Sequence, residues 1–179
     1  YIFYHGKRVG KLAVKLREKL LPNDASYDEY LFAAGLFHDV GKGFDPHAEY
    51  GAYLVRNILK EYCSEEEIRK IADLIYYHQG PRKEESLSEY IKILQDADIL
   101  DRFGTMQVWL NIYDCASKNL SVEYLQEFYK NEFGVRAGFM RSLLNFDLSL
   151  QIFDEKMEYL LNFIDRFSIE SEGNLYLSC

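Results

Sequence analysis

A chain of 179 residues is long enough for one domain with its own core, and 48% hydrophobic residues with three prolines favour a compact helical protein over a loop-rich one. Its 21 basic and 29 acidic residues leave a net charge of −8 with no basic cluster, which argues against binding duplex nucleic acid. No run of about 18 apolar residues could span a membrane and no signal pattern opens the chain, while three cysteines without metal-like spacing, Cys63, Cys115 and Cys179, favour a reducing, cytoplasmic setting.

In chain order, Val9, Leu12 and Leu16 follow His5 at helical steps, predicting a helix to about Leu21 with His5 at the head of its apolar stripe. Leu21-Pro22-Asn23-Asp24 breaks it, and Ser26 with Glu29 predicts a capping box at the next start. In that second helix Leu31, Gly35 and His38 share a face, so His38 points toward the core. Asp39 follows about 100° round the helix, and Gly41 and Gly43 let the chain turn away. Burying an ionised carboxylate without a partner costs on the order of several kcal/mol, so His38-Asp39 predicts a metal cation or an ion pair nearby.

A third helix is expected from His47 to Tyr62 with an inward stripe of His47, Gly51, Leu54 and Ile58. Ser64 followed by Glu65, Glu66 and Glu67 is a strong helix start, and the stripe Ile68, Ile71, Ile75 and His78 runs on to Gly80-Pro81. After a polar loop over 82–86, a fifth helix presents Leu87, Tyr90, Ile91, Leu94, Asp98 and Asp101. Asp98 lies within about 40° of Leu94, whereas Asp96 is about 160° away. Asp98 is therefore the candidate buried ligand, Asp101 its neighbour one turn on, and Asp96 a surface charge. Beyond Gly104 the spacing predicts helices over 106–117, 122–133 and 135–167, broken at Gly134 and Gly138, and then a tail over 168–179 with little period. With no linker or repeat, residues 1–179 read as a single helical domain whose motifs occupy 4–105. The 15 tyrosines and 12 phenylalanines invite a base-stacking pocket but more commonly pack helices together.

All four histidines thus fall on inward faces of successive helices, and Asp98 on that of the fifth. One histidine on an apolar stripe is usually a hydrogen-bonded core residue; four of them beside a buried His-Asp pair are better explained as a ligand set. The order His5-Gly6-Lys7-Arg8-Val9, His38-Asp39-Val40-Gly41-Lys42, His47-Ala48-Glu49, His78-Gln79-Gly80 and Asp96-Ala97-Asp98-Ile99-Leu100-Asp101 resembles the HD superfamily of metal-dependent phosphohydrolases over roughly residues 4–105. From Met106 onward no motif is recognisable.

The resemblance implies an all-α HD-domain bundle with the metal site among the first five helices. It implies one ion held by His5, His38, Asp39 and Asp98. His47 and His78 resemble the two-metal subgroup, in which Asp39 would bridge, although other members carry a paired His-His where this chain has His78-Gln79. Imidazole with carboxylate suits iron, manganese, cobalt, nickel or zinc. The chemistry implied is hydrolysis of a phosphate ester or anhydride by metal-activated water, most plausibly on a nucleotide or a related small phosphorylated molecule. Lys42 and Arg8 are the candidate cations for its phosphate oxygens, and Asp101 a candidate to activate water or orient a ligand. Arg82 and Lys83 follow His78 closely, though a solvated loop explains them equally well. Two other readings stand beside this one. One is a di-iron oxygenase of the same superfamily using the same six ligands; the other is a nucleotide-sensing module without turnover, which the full ligand set argues against.

Overall fold

The computed structural model describes residues 2–176, and these form helices without a strand, apart from one isolated bridge between Lys42 and Phe44. In order they are α1 (Ile2–Leu20), α2 (Asp28–Phe37), α3 (His47–Leu59), α4 (Glu65–Tyr77), α5 (Glu89–Asp101), α6 (Thr105–Ser117), α7 (Val122–Phe128), a π-helical turn (Tyr129–Phe133), α8 (Gly134–Ser142) and α9 (Asp147–Ser171). Two compact units result: one runs to Asp101 and takes in Leu144–Phe146, and the other comprises Arg102–Leu143 and the chain from Asp147. None of the described helices is long and apolar enough to cross a membrane.

In the first unit α1 packs on α2 and α5, and α3 on α4. Gly10 and Gly35 let α1 and α2 approach closely, because a Cβ on Gly35 would run into the backbone of Gly10. Arg17 of α1 forks onto Asp28 at the start of α2, with Nε and Nη2 at 2.6 and 2.5 Å from its two oxygens. That start differs from the expected capping box. Ser26 spends its hydroxyl and its N–H on Asp24 Oδ1, and α2 begins two residues later without a side-chain cap. The start of α4 does carry a capping box, with Ser64 and Glu67 bonded reciprocally.

Two expectations of facing are corrected. The buried face of α3 is Ala48, Gly51, Ala52 and Val55, while Ile58 is 41% exposed. Gly41 lies against the backbone at His47 and Gly51, so the face with Ala48, Gly51 and Ala52 turns inward together with Val55, and Leu54 is left half-buried. On α5 both faces are covered, and Asp96 is fully buried instead of forming a surface charge. Its carboxylate accepts from Asn145 N at 2.9 Å, Asn145 Nδ2 at 2.8 Å and Phe146 N at 3.2 Å.

In the second unit Phe103, Leu125, Tyr129, Phe133, Phe153 and Leu160 are buried, with rings of Phe103 and Phe153 4.6 Å apart. The predicted breaks at Gly134 and Gly138 do not occur: helical geometry continues through both, and the chain leaves it at Leu143–Phe146. The break falls where the freed N–H groups of Asn145 and Phe146 find Asp96 as acceptor, a requirement glycine content does not report. Helix α9 extends to Ser171, into the segment expected as a tail, whose last residues, 177–179 with Cys179, lie outside the described residues. Cys63 and Cys115 are free thiols.

Candidate metal centre

Helix ends deliver most of the chemical groups. His38 follows the last residue of α2 and His78 the last of α4, where the final carbonyls of a helix have acceptor capacity to spare. Each imidazole turns back on such a carbonyl, His38 Nδ1 on Gly35 O at 2.7 Å and His78 Nδ1 on Ile75 O at 2.6 Å. A carbonyl only accepts, so both Nδ1 atoms carry a proton, and Nε2 is the nitrogen each ring directs inward. His5, in the first turns of α1, is oriented differently: its Nδ1 meets Asp101 Oδ2 at 2.7 Å. Imidazoles held by a carbonyl or carboxylate on one nitrogen, with the other nitrogen directed inward, are the common arrangement of metal-binding histidines.

The inward atoms converge. His5 Nε2 lies 3.1 Å from Asp98 Oδ1 and 3.8 Å from Asp39 Oδ2. His38 Nε2 lies 3.5 Å from Asp98 Oδ1 and 3.7 Å from Asp39 Oδ1, and His47 Nε2 lies 3.5 Å from Asp39 Oδ1. Ring centroids of His5 and His38, His38 and His78, and His47 and His78 are 5.0, 5.1 and 5.3 Å apart. Two groups of donor atoms lie within 4.8 Å of one another, His5 with His38 and Asp39, and Asp39 with His47 and His78. Asp39 belongs to both.

Nε2 of His38 and Nε2 of His47 are buried and have no hydrogen-bond partner. Nε2 of His38 faces carboxylate oxygens of Asp98 and Asp39 across 3.5 and 3.7 Å without a hydrogen bond, which leaves buried polar groups unsatisfied in a way that a metal cation between them would relieve. The donor set, imidazole nitrogens with carboxylate oxygens, is that of a divalent transition metal. The residues present therefore suit such an ion.

The electrostatics are consistent with this. Burial pushes the carboxyl of Asp39 up, but the His38 imidazole and the Lys42 ammonium, whose Nζ is 2.6 Å from Oδ2, outweigh it and hold the pKa below the ordinary value. Burial likewise raises Asp101, and hydrogen bonds from His5 and Arg8 outweigh it and hold the pKa below the ordinary value. His78 is pushed down to about 4, first by burial and then by His38, and so stays neutral, the form in which imidazole binds metal.

The structure brings together these of the residues singled out from the sequence: His5, His38, Asp39, His47, His78 and Asp98 converge, and Lys42 bonds Asp39. Arg8 reaches Asp101 instead of open space, with Nε on Oδ1 and Nη2 on Oδ2, both at 2.8 Å. It braces the carboxylate that orients His5. Sequence reasoning missed the Gly35 and Ile75 carbonyls and the anchoring of the loop after His78. There Gln95 Nε2 donates to Tyr77 O at 2.8 Å and Pro81 O at 3.2 Å, and Asn145 Oδ1 accepts from Lys83 N at 2.9 Å. A lone glutamine and a distant asparagine carry no local signal of that role.

The family model for the HD domain matches residues 2–102, more than half of the chain. This chain is a member of the HD domain family. Membership makes it a metal-dependent phosphohydrolase that binds a divalent cation. No functionally curated protein matches the sequence. Among solved structures, YpgQ of Bacillus subtilis in complex with ADP superposes with a TM-score of 0.63 at 22% identity, over 91% of this chain and 82% of that one. An HD-superfamily hydrolase from Bacillus thuringiensis gives 0.65 at 24% identity over 94% and 85%. A predicted HD superfamily hydrolase from an uncultured Thermotogales bacterium gives 0.60 at 21% over 93% and 79%. These identities carry the fold of the HD domain across and nothing finer.

Proposed function

We propose that this HD domain holds two divalent transition-metal ions, one on His5, His38, Asp39 and Asp98 and one on Asp39, His47 and His78, and hydrolyses a phosphate ester or anhydride of a nucleotide. The observation that carries the proposal is the pair of buried, unpartnered Nε2 atoms, on His38 and His47, each 3.5 Å from a carboxylate oxygen. They belong to two donor groups that share Asp39. Iron, manganese, cobalt, nickel and zinc all suit the donors. The nucleotide part of the reading is supported by the ADP bound to YpgQ, which shares the fold.

Bound there, divalent ions supply a water acidified toward neutral pH and positive charge for the phosphoryl oxygens. The protein's own groups do the rest. Asp101, braced by Arg8, keeps the His5 Nδ1 proton in place so that Nε2 faces inward, and the Gly35 and Ile75 carbonyls do the same for His38 and His78. Lys42, 40% exposed and bonded to Asp39, is the ammonium at the solvent edge of the centre and offers its remaining protons to a substrate phosphate.

Elemental analysis of protein purified without added metal, followed by a phosphate-release screen over nucleotides with that metal restored, tests the proposal. About two ions per chain with phosphate release is the expected result. One ion would withdraw His47 and His78 from the ligand set. Tight iron with dioxygen uptake and no phosphate release would replace hydrolysis by oxygenation, and nucleotide binding without turnover in any metal would make the protein a sensor.

A further inference from the structure

The loop after α4 carries a cation that the ligand set does not use. Arg82 is half-buried, and its Nη2 donates to the carbonyl oxygen of His78 at 3.3 Å. Its Nη1 is buried and has no hydrogen-bond partner. The backbone is pinned on either side, Pro81 O by Gln95 and Lys83 N by Asn145, and Gln95 and Asn145 are themselves bonded, so the loop that carries the guanidinium is fixed. Burial pushes its pKa down, and the charges that oppose this are Asp98 first and Asp96 second. Asp96 is saturated by Asn145 and Phe146, and Asp98 turns Oδ1 to His5.

A buried guanidinium N–H without a partner is costly unless an acceptor meets it. Here it stands beside His78, whose ring neighbours those of His38 and His47, within the field of the ligand Asp98. We infer that Arg82 is a phosphate-binding residue of this centre, its Nη1 edge donating to a phosphate oxygen of a di- or polyphosphate substrate while Nη2 stays on the His78 carbonyl. This rests on the proposed phosphohydrolase reading and adds a second cation to Lys42. Arginine suits the task because its planar fork can hold the backbone and the ligand at once, which a lysine cannot do in fixed geometry.

The test is calorimetric binding of methylenediphosphonate, whose P–C–P bridge resists hydrolysis, to the full chain carrying the metal with which it purifies. Arg82→Gln should weaken binding by about 10- to 100-fold, and Arg82→Lys nearly as much, with metal content and thermal midpoint unchanged. Lys83→Gln, which removes a neighbouring charge, should stay within about threefold of wild type. Wild-type affinity in Arg82→Gln would overturn the inference. So would equal weakening in Arg82→Gln and Lys83→Gln, which would reduce the effect to long-range charge, or absence of binding to the wild-type protein. Arg82-dependent binding without turnover of any nucleotide would uphold the inference and sink the hydrolase reading; turnover indifferent to Arg82 would do the reverse.

Discussion

The helices up to Asp101 and those after it bury different kinds of side chain. Among the described residues the first unit encloses His5, Arg17, His38, Asp39, His78, Gln95, Asp96 and Asp101, whereas Ser149 is the buried polar residue of the second. That second interior is built from Phe103, Tyr129, Phe133, Phe153 and Leu160. Rings and aliphatic chains are stabilised by the apolar area they remove from water, at about 25 cal/mol per Å², and need no ligand to complete them. Imidazoles and carboxylates lose hydration on burial and recover it only through partners. In the first unit some of those partners are protein groups, as for Asp96 and Asp101, and some sites, as at His38 Nε2, have none. The difference teaches that folding and ligand binding are separable here by choosing where to cut.

The largest effect is expected where the two donor groups overlap. Asp39→Ala removes the carboxylate common to both, so metal content should fall to background by elemental analysis and phosphate release with it. A variant that kept its metal would break the assignment of Asp39. The opposite case is Phe153→Ala in the second unit, which should cost about 3–5 kcal/mol in denaturant unfolding through the cavity it leaves. Metal per folded chain should be unchanged, and loss of metal from the folded variant would erase the contrast between the units. A smaller change lies behind His5. Asp101→Asn keeps the shape but weakens the hold on the imidazole and releases Arg8, and metal affinity should drop by about 10- to 100-fold. Equilibrium dialysis against a metal buffer measures this, and unchanged affinity would mean that His5 needs no orienting carboxylate.

Much of the fold and the convergence of the site residues can be read from periodicity. The histidine stripes of α1, α2 and α4 and the phase of Asp98 on α5 follow from 3.6 residues per turn, and Ser64 with Glu67 announces its helix by local chemistry. What escaped depends on contacts between distant segments. A helical phase gives the angle between two residues and says nothing about what covers each face, so the far side of α5 reads as surface until Asn145, 49 positions from Asp96 in sequence, closes over it. On α3 the bulkier Leu54 and Ile58 advertise an inward stripe, yet the close approach of Gly41 to Gly51 selects the face that carries Gly51. Gly134 and Gly138 weaken a helix by propensity alone, on the order of 1 kcal/mol each, and the neighbouring packing of Phe133 and Ala137 overrides that. For Arg82 the sequence leaves the site and a solvated loop open alike, because burial of one atom of its guanidinium is a property of the folded loop.

The smallest expected effect tests that correction to α5. Asp96 and Asp98 sit two positions apart on one helix, and only their surroundings separate them: Asp98 turns to His5 and His38, Asp96 to the backbone of Asn145 and Phe146. Asp96→Asn keeps one acceptor oxygen and loses the charge that strengthens three N–H donors, so it should cost about 1 kcal/mol of stability, the difference between a charged and a neutral acceptor. Because Asn145 also holds Lys83 N beside Arg82, the loop after α4 should become more open to amide exchange while metal content stays at the wild-type level. Loss of metal in Asp96→Asn with retention in Asp98→Asn would exchange the two roles, and the helix would then present its other face to the centre.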